Sequence, residues 1–66
     1  MLISLNGESR RLQDRLTVAS LVESLGYAGK RIAVERNGEI VPRSRHAEVA
    51  LAEGDRLEIV VAVGGG

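Results

Sequence analysis

Apolar and polar residues alternate from the first position: Met1, Ile3 and Leu5 fall on one side of the pattern, Leu2 and Ser4 on the other. A period of two is the signature of a strand with one buried face. Asn6 and Gly7 follow, a dipeptide that accepts the positive φ angles of a type I′ turn, so residues 8–12 are expected to return as the second arm of a hairpin. After the polar link 13–16, Thr17 stands where an N-cap belongs, and Val18, Leu21, Val22 and Leu25 recur at helical spacing on one face. Gly26 then supplies a stop. The spacing predicts a helix over 18–25, without a capping box, because Ser20 rather than Glu or Gln occupies the third position after the cap.

Further on, Ile32 and Val34 face one way while Ala33 and Glu35 face the other, and Asn37 with Gly38 repeats the turn signal. Residues 39–41 are the expected short partner strand. Pro42 lacks an N–H for the ladder, so it ends that strand or confines it to an edge. Periodicity weakens over 43–52, which reads as a turn of helix and a loop, with Val49 and Leu51 tucked inward. Gly54 and Asp55 mark another turn. Leu57, Ile59 and Val61 then alternate with Glu58, Val60 and Ala62 in the clearest strand pattern of the chain.

A hairpin, a helix, a short strand pair and a final strand imply an α+β domain, a small mixed sheet covered on one face by one helix. The last strand is the most apolar and is therefore expected near the centre of the sheet. The expected division is a domain over 1–63 and a glycine tail over 64–66.

With 66 residues, the chain buries only about 60% of the surface it exposes when unfolded. It has no cysteine and one histidine, His46, so neither disulfides nor a recognised metal-ligand spacing reinforces it, and aliphatic packing must suffice. Nine basic and nine acidic side chains cancel without forming blocks, and Tyr27 is the only aromatic residue. Nucleic-acid binding needs clustered positive charge, and single-strand binding needs aromatic platforms as well, so no nucleic-acid partner is expected. The longest apolar run, 59–63, falls far short of the ~20 residues that cross a bilayer, so no membrane partner is expected either. Without a basic and apolar leader, a cytoplasmic location is the expectation.

Chemistry concentrates at Gly64, Gly65 and Gly66, which directly follow the apolar strand. Without Cβ atoms such a tail threads a narrow channel, and its terminal carboxylate is open to attack the α-phosphate of ATP. A sulfur nucleophile displacing AMP would leave a thiocarboxylate. Terminal glycines are equally read as a frayed chain end. On the residues alone both readings stand.

Several segments carry a resemblance that spans the whole chain: the Asn6, Gly7, Glu8 hairpin; Thr17, Val18 and Ala19 opening the helix; the run 34–43; the run 54–59; and the glycine end. In these the chain resembles the ThiS family of sulfur carriers of thiamine biosynthesis, with 37–43 the most specific internal marker. The resemblance implies a ubiquitin-like β-grasp fold and a protein cosubstrate rather than an enzyme. It implies that Gly66 is adenylated, with ATP and magnesium, by a ThiF-like E1 adenylating enzyme. A cysteine desulfurase or other donor then supplies sulfur, and a ThiG-like thiazole synthase takes it from the thiocarboxylate. The third glycine and Ser20, where an acidic residue is common, depart from the family pattern. Delivery to molybdopterin, cysteine or tRNA shares the same chemistry, and a noncovalent interaction module with an inert tail is the reading from another class.

Leu2, Val60, Ala62 and Val63 are the candidate docking residues: if the first and last strands are neighbours, their outward aliphatic groups form a patch beside the tail. Scattered exposed aliphatics are also ordinary. His46, near Ser44 and Glu48, is expected to be a surface side chain. Arg36, Arg43, Arg45 and Arg56 are expected on a solvated surface, neutralised within the domain by Glu35, Glu39 and Asp55.

Overall fold

A computed structural model describes residues 1–62. Its elements, in chain order, are β1 (Leu2–Leu5), β2 (Glu8–Arg11), α1 (Val18–Ser24), β3 (Ile32–Arg36), β4 (Glu39–Ile40), a 3-10 turn (Arg43–Arg45) and β5 (Arg56–Val61). The five strands form one sheet in the order β2-β1-β5-β3-β4. β5 is parallel to β1 and antiparallel to β3, so the last strand is central, as its apolar run requires. The α+β class and the single helix against one sheet face are as the sequence predicts.

Local chemistry explains each boundary. Asn6 (φ 51°) and Gly7 (φ 84°), and again Asn37 (φ 53°) and Gly38 (φ 87°), hold the paired positive φ values of a type I′ turn. Both hairpins close there, with Leu5 opposite Glu8 and Arg36 opposite Glu39. At the start of α1 the Thr17 hydroxyl accepts the Ser20 N–H at 3.1 Å. Two further helix N–H groups donate back into the 46–49 loop, Val18 to Val49 O and Ala19 to His46 O, each at 2.9 Å. The helix thus begins with its free donors satisfied, and it ends one residue earlier than the spacing predicts, with Leu25 as its C-cap. β4 is shortened to Glu39–Ile40 because Val41 turns into the core and Pro42 opens the 3-10 turn.

The core lies between α1 and the inner sheet face. Ile3 and Leu5 of β1, Val34 of β3 and Leu57 and Ile59 of β5 meet Val18, Leu21 and Val22 of the helix, with Val41 and Leu51 closing one end. Leu21, Leu57, Val18 and Val34 are the most deeply enclosed; burying each is worth ~1.5–3 kcal/mol relative to exposure.

Two buried polar residues depart from expectation. His46 is 8% exposed rather than a surface side chain. Its Nε2 lies 3.1 Å from Val41 O, and since a carbonyl only accepts, that nitrogen donates. The 3-10 turn folds the loop back over Val41, which brings the ring inside. Asp55 is 5% exposed. Its Oδ2 accepts from Arg36 Nε and from Ala52 N, both at 2.8 Å, and its Oδ1 accepts from Asn37 Nδ2 at 3.1 Å. Of the expected neutralising pairs, Arg36 with Asp55 forms; Arg45 pairs with Glu48 instead, and Arg43 donates to Lys30 O.

Burial pushes the Asp55 carboxyl up, but hydrogen bonds from Arg36, Ala52 and Asn37 and the Arg36 charge outweigh it and hold the group below its ordinary value of 3.8. A carboxyl with a lowered folded pKa contributes stability above the unfolded pKa and loses it as pH falls through the folded one. Asp55→Asn should therefore cost about 1–3 kcal/mol at pH 7. It should also remove part of the wild-type stability loss below about pH 4; urea unfolding across pH 2–7 measures both effects.

Candidate functional site

β5 carries the chain to Ala62, the last described residue, whose N–H donates to Arg31 O at 2.9 Å. Val63, Gly64, Gly65 and Gly66 lie outside the described residues, so the site is built from what holds and surrounds the strand that leads to them. On the β3 side the ladder is continuous, from Arg36 opposite Leu57 to Ile32 opposite Val61. On the β1 side it is short: Ser4 pairs with Arg56 and Leu5 with Leu57. There β1 turns away at Asn6.

The Asn6 side chain extends the ladder where the backbone leaves it. Its Oδ1 accepts from Ile59 N at 2.9 Å and its Nδ2 donates to Ile59 O at 3.2 Å, imitating one more residue of a neighbouring strand. Asn37 does the equivalent on the other side, its Oδ1 accepting from Arg56 N at 2.9 Å while its own N–H donates to Arg56 O at 2.7 Å. Each turn asparagine therefore both tolerates a left-handed backbone and clamps the central strand. Sequence reading finds the turns but not the clamps; only the strand order reveals what each amide faces.

The outer sheet face is not covered by α1. Val60 stands there at 63% exposure beside exposed Ala33, its partner on β3, and Ala62 is exposed as well. Leu2 is also outward and exposed, and β1 does neighbour β5. The register, however, separates it from the others. Gly54 N donates to Leu2 O, and Val60 comes six residues later, about 20 Å along a strand that rises ~3.3 Å per residue. Leu2 thus shares the face but not a patch with Val60 and Ala62. Ile40, at 64% exposure on β4, is the outward aliphatic residue the sequence reading passed over.

Between Val60 and Ile40 the face is acidic. Glu35 of β3 lies directly opposite Glu58 of β5, and Ile40 lies opposite Glu35 on the other side. Among the described residues, no cation stands within ion-pair distance of either carboxylate. Like charges directly opposite in a sheet are destabilising.

His46 lines a cleft of about 370 Å³ with Val22, Glu23, Ile32 and Arg43 among its walls, on the helix side of the molecule. Ser44, close to His46 in sequence, is exposed and not among those walls. Among the described residues no group of three acidic or histidine side chains converges as metal ligands, and no helix is long and apolar enough to cross a membrane.

A β-hairpin, one helix and a central last strand parallel to the first define a ubiquitin-like β-grasp protein. A ThiS from Geobacter metallireducens has the same fold, with a TM-score of 0.85 and 29% identity over 100% of both chains. The chain belongs to the ThiS family, whose model matches residues 3–66. It is 39% identical to the sulfur carrier protein ThiS of Bacillus subtilis, covering 98% of this chain and 100% of that one. It is also 48% identical over its full length to a thiazole synthase of Paramagnetospirillum magneticum and 41% to one of Magnetococcus marinus. The chain spans 20% of the length of each of these two synthases.

Asn6→Gly keeps the positive φ but removes the amide, so it separates the two roles of this residue. Loss of both contacts to Ile59 should lower stability by about 1–3 kcal/mol. A urea midpoint equal to wild type would reduce Asn6 to a turn former.

Proposed function

We propose that the chain is a sulfur carrier in thiamine biosynthesis whose working group is the carboxylate of Gly66. The observation that carries this reading is membership of the ThiS family along residues 3–66, which includes the glycine end. The fold supports it: the central strand of the sheet leads to Ala62, and the four residues beyond span at most about 14 Å when extended, enough to enter another protein's active site.

In this reading the Gly66 carboxylate attacks the α-phosphate of ATP in a ThiF-like adenylating enzyme that uses magnesium, forming an acyl adenylate and releasing pyrophosphate. The terminal sulfur of a persulfide, from a cysteine desulfurase or similar donor, displaces AMP to give an acyl disulfide. A second thiol cleaves that disulfide, leaving the thiocarboxylate and an oxidised thiol pair. A ThiG-like thiazole synthase then takes the sulfur. Similarity to two proteins named thiazole synthase supports this last partner. Side chains of this chain supply no acid or base; they hold the strand and form the surface, with Val60, Ala62 and Val63 as docking residues beside the tail and Leu2 as an outlying contact.

Intact mass spectrometry after incubation with ATP, the adenylating enzyme and a sulfur donor should show one oxygen replaced by sulfur. Deleting Gly66 should abolish that exchange without lowering thermal stability. A full-length protein that keeps its mass under these conditions, with enzymes active on another carrier, would refute the reading.

A further inference from the structure

We propose that Asn6 and Asn37 are modification sites, where the side-chain amide is lost by reaction with the next backbone nitrogen and water once the clamp on β5 opens. The chain has two asparagines and each is followed by glycine, Asn6 by Gly7 and Asn37 by Gly38. Asparagine is a thermolabile residue, most of all before glycine, whose nitrogen has no side chain to shield it. The fold adds no shield of its own: all four residues are exposed, and a Cβ built on either glycine would meet nothing within 4 Å.

The step balances with hydroxide and water as the only co-reactants. The glycine N–H gives its proton to hydroxide, and the nitrogen attacks Cγ of the asparagine. A C–N bond forms, closing a five-membered succinimide, while the bond from Cγ to Nδ2 breaks and that nitrogen takes a proton from water to leave as ammonia. Water then opens the ring at either carbonyl. One opening leaves aspartate, and the other leaves isoaspartate, which lengthens the main chain by one carbon.

The fold controls when this reaction can start. For the nitrogen to reach Cγ, the amide must turn toward the residue that follows it. Both amides are instead held toward β5 and the residue before it. Asn6 accepts from Ile59 N at 2.9 Å and donates to Ile59 O at 3.2 Å, while Asn37 accepts from Arg56 N at 2.9 Å and donates to Asp55 Oδ1 at 3.1 Å. The clamps are therefore protected while closed and reactive when open. Their products differ in consequence. At Asn6 the donor to Ile59 O becomes a carboxylate oxygen facing a carbonyl. At Asn37 the donor becomes a second carboxylate against that of Asp55, which is 5% exposed and is kept ionised in part by the Asn37 hydrogen bond; two carboxylates in contact disfavour each other's charge. Conversion at Asn37 thus loosens the fold more. Because both residues hold the same strand, conversion at one hastens conversion at the other.

Mass spectrometry of the full chain, incubated in parallel in buffer and in unfolding urea and mapped by peptide, tests the inference. In urea both sites should convert from amide to acid, giving aspartate and isoaspartate. In buffer the rate should be at least about tenfold lower, because reaction waits on opening, and doubly converted chains should accumulate faster than two independent events allow. Asn37→Asp made directly should lower the urea midpoint more than Asn6→Asp. Exchanging the two groups, with Asn37→Asp and Asp55→Asn in one chain, should cost less than the sum of the single substitutions, and this comparison survives if Asn37→Asp alone does not fold. Equal rates in buffer and urea, unconverted asparagines in urea, or strictly additive losses in the exchanged chain would each overturn the inference. Charging of Gly66 is not among these readouts, so the carrier reading stands or falls separately.

Discussion

The structure depends on the central strand being held from both sides. β5 is bonded along its length to β3 and at its start to β1, and its inward residues Leu57 and Ile59 lie at the middle of the core. Where β1 ends, the Asn6 amide takes over the contact to Ile59, and at the opposite edge Asn37 secures Arg56. In a chain of 66 residues with no cysteine, little else is available to fix a strand firmly. Both hairpin turns are thus tied to the same element, and loosening either one loosens the strand that leads to the glycines.

A small domain with one helix can cover only one side of its sheet. The inner side becomes the core, and the outer side is left for other uses. Here that side combines exposed aliphatic residues with two facing glutamates that, among the described residues, have no ion-pair partner. Asp55 shows the opposite solution within the same chain: its carboxylate is buried and met by Arg36, Asn37 and Ala52.

Most of the architecture was legible in the sequence because it rests on local signals. The two Asn-Gly pairs, the Thr17 cap and the alternation at 57–61 each specify a backbone conformation without reference to distant residues, and the central place of β5 follows from its apolarity. The site was only partly legible. That Leu2 and Val60 face the same way follows from alternation, but their separation follows from the parallel register of β1 on β5, which no local pattern encodes. His46 looked like a surface residue because its loop is polar; its burial depends on the 3-10 turn folding over Val41. The facing of Glu35 and Glu58 likewise needed the pairing of two strands more than twenty residues apart.

The central claim is that the glycine end departs from the most firmly held strand of the molecule. Native-state hydrogen exchange measures that directly, amide by amide. The amides of Leu57, Ile59 and Val60 should exchange only through global unfolding, with opening free energies equal to that from denaturant titration. Exchange of these amides through a local opening well below the global value, while β1 and α1 stay protected, would contradict the account.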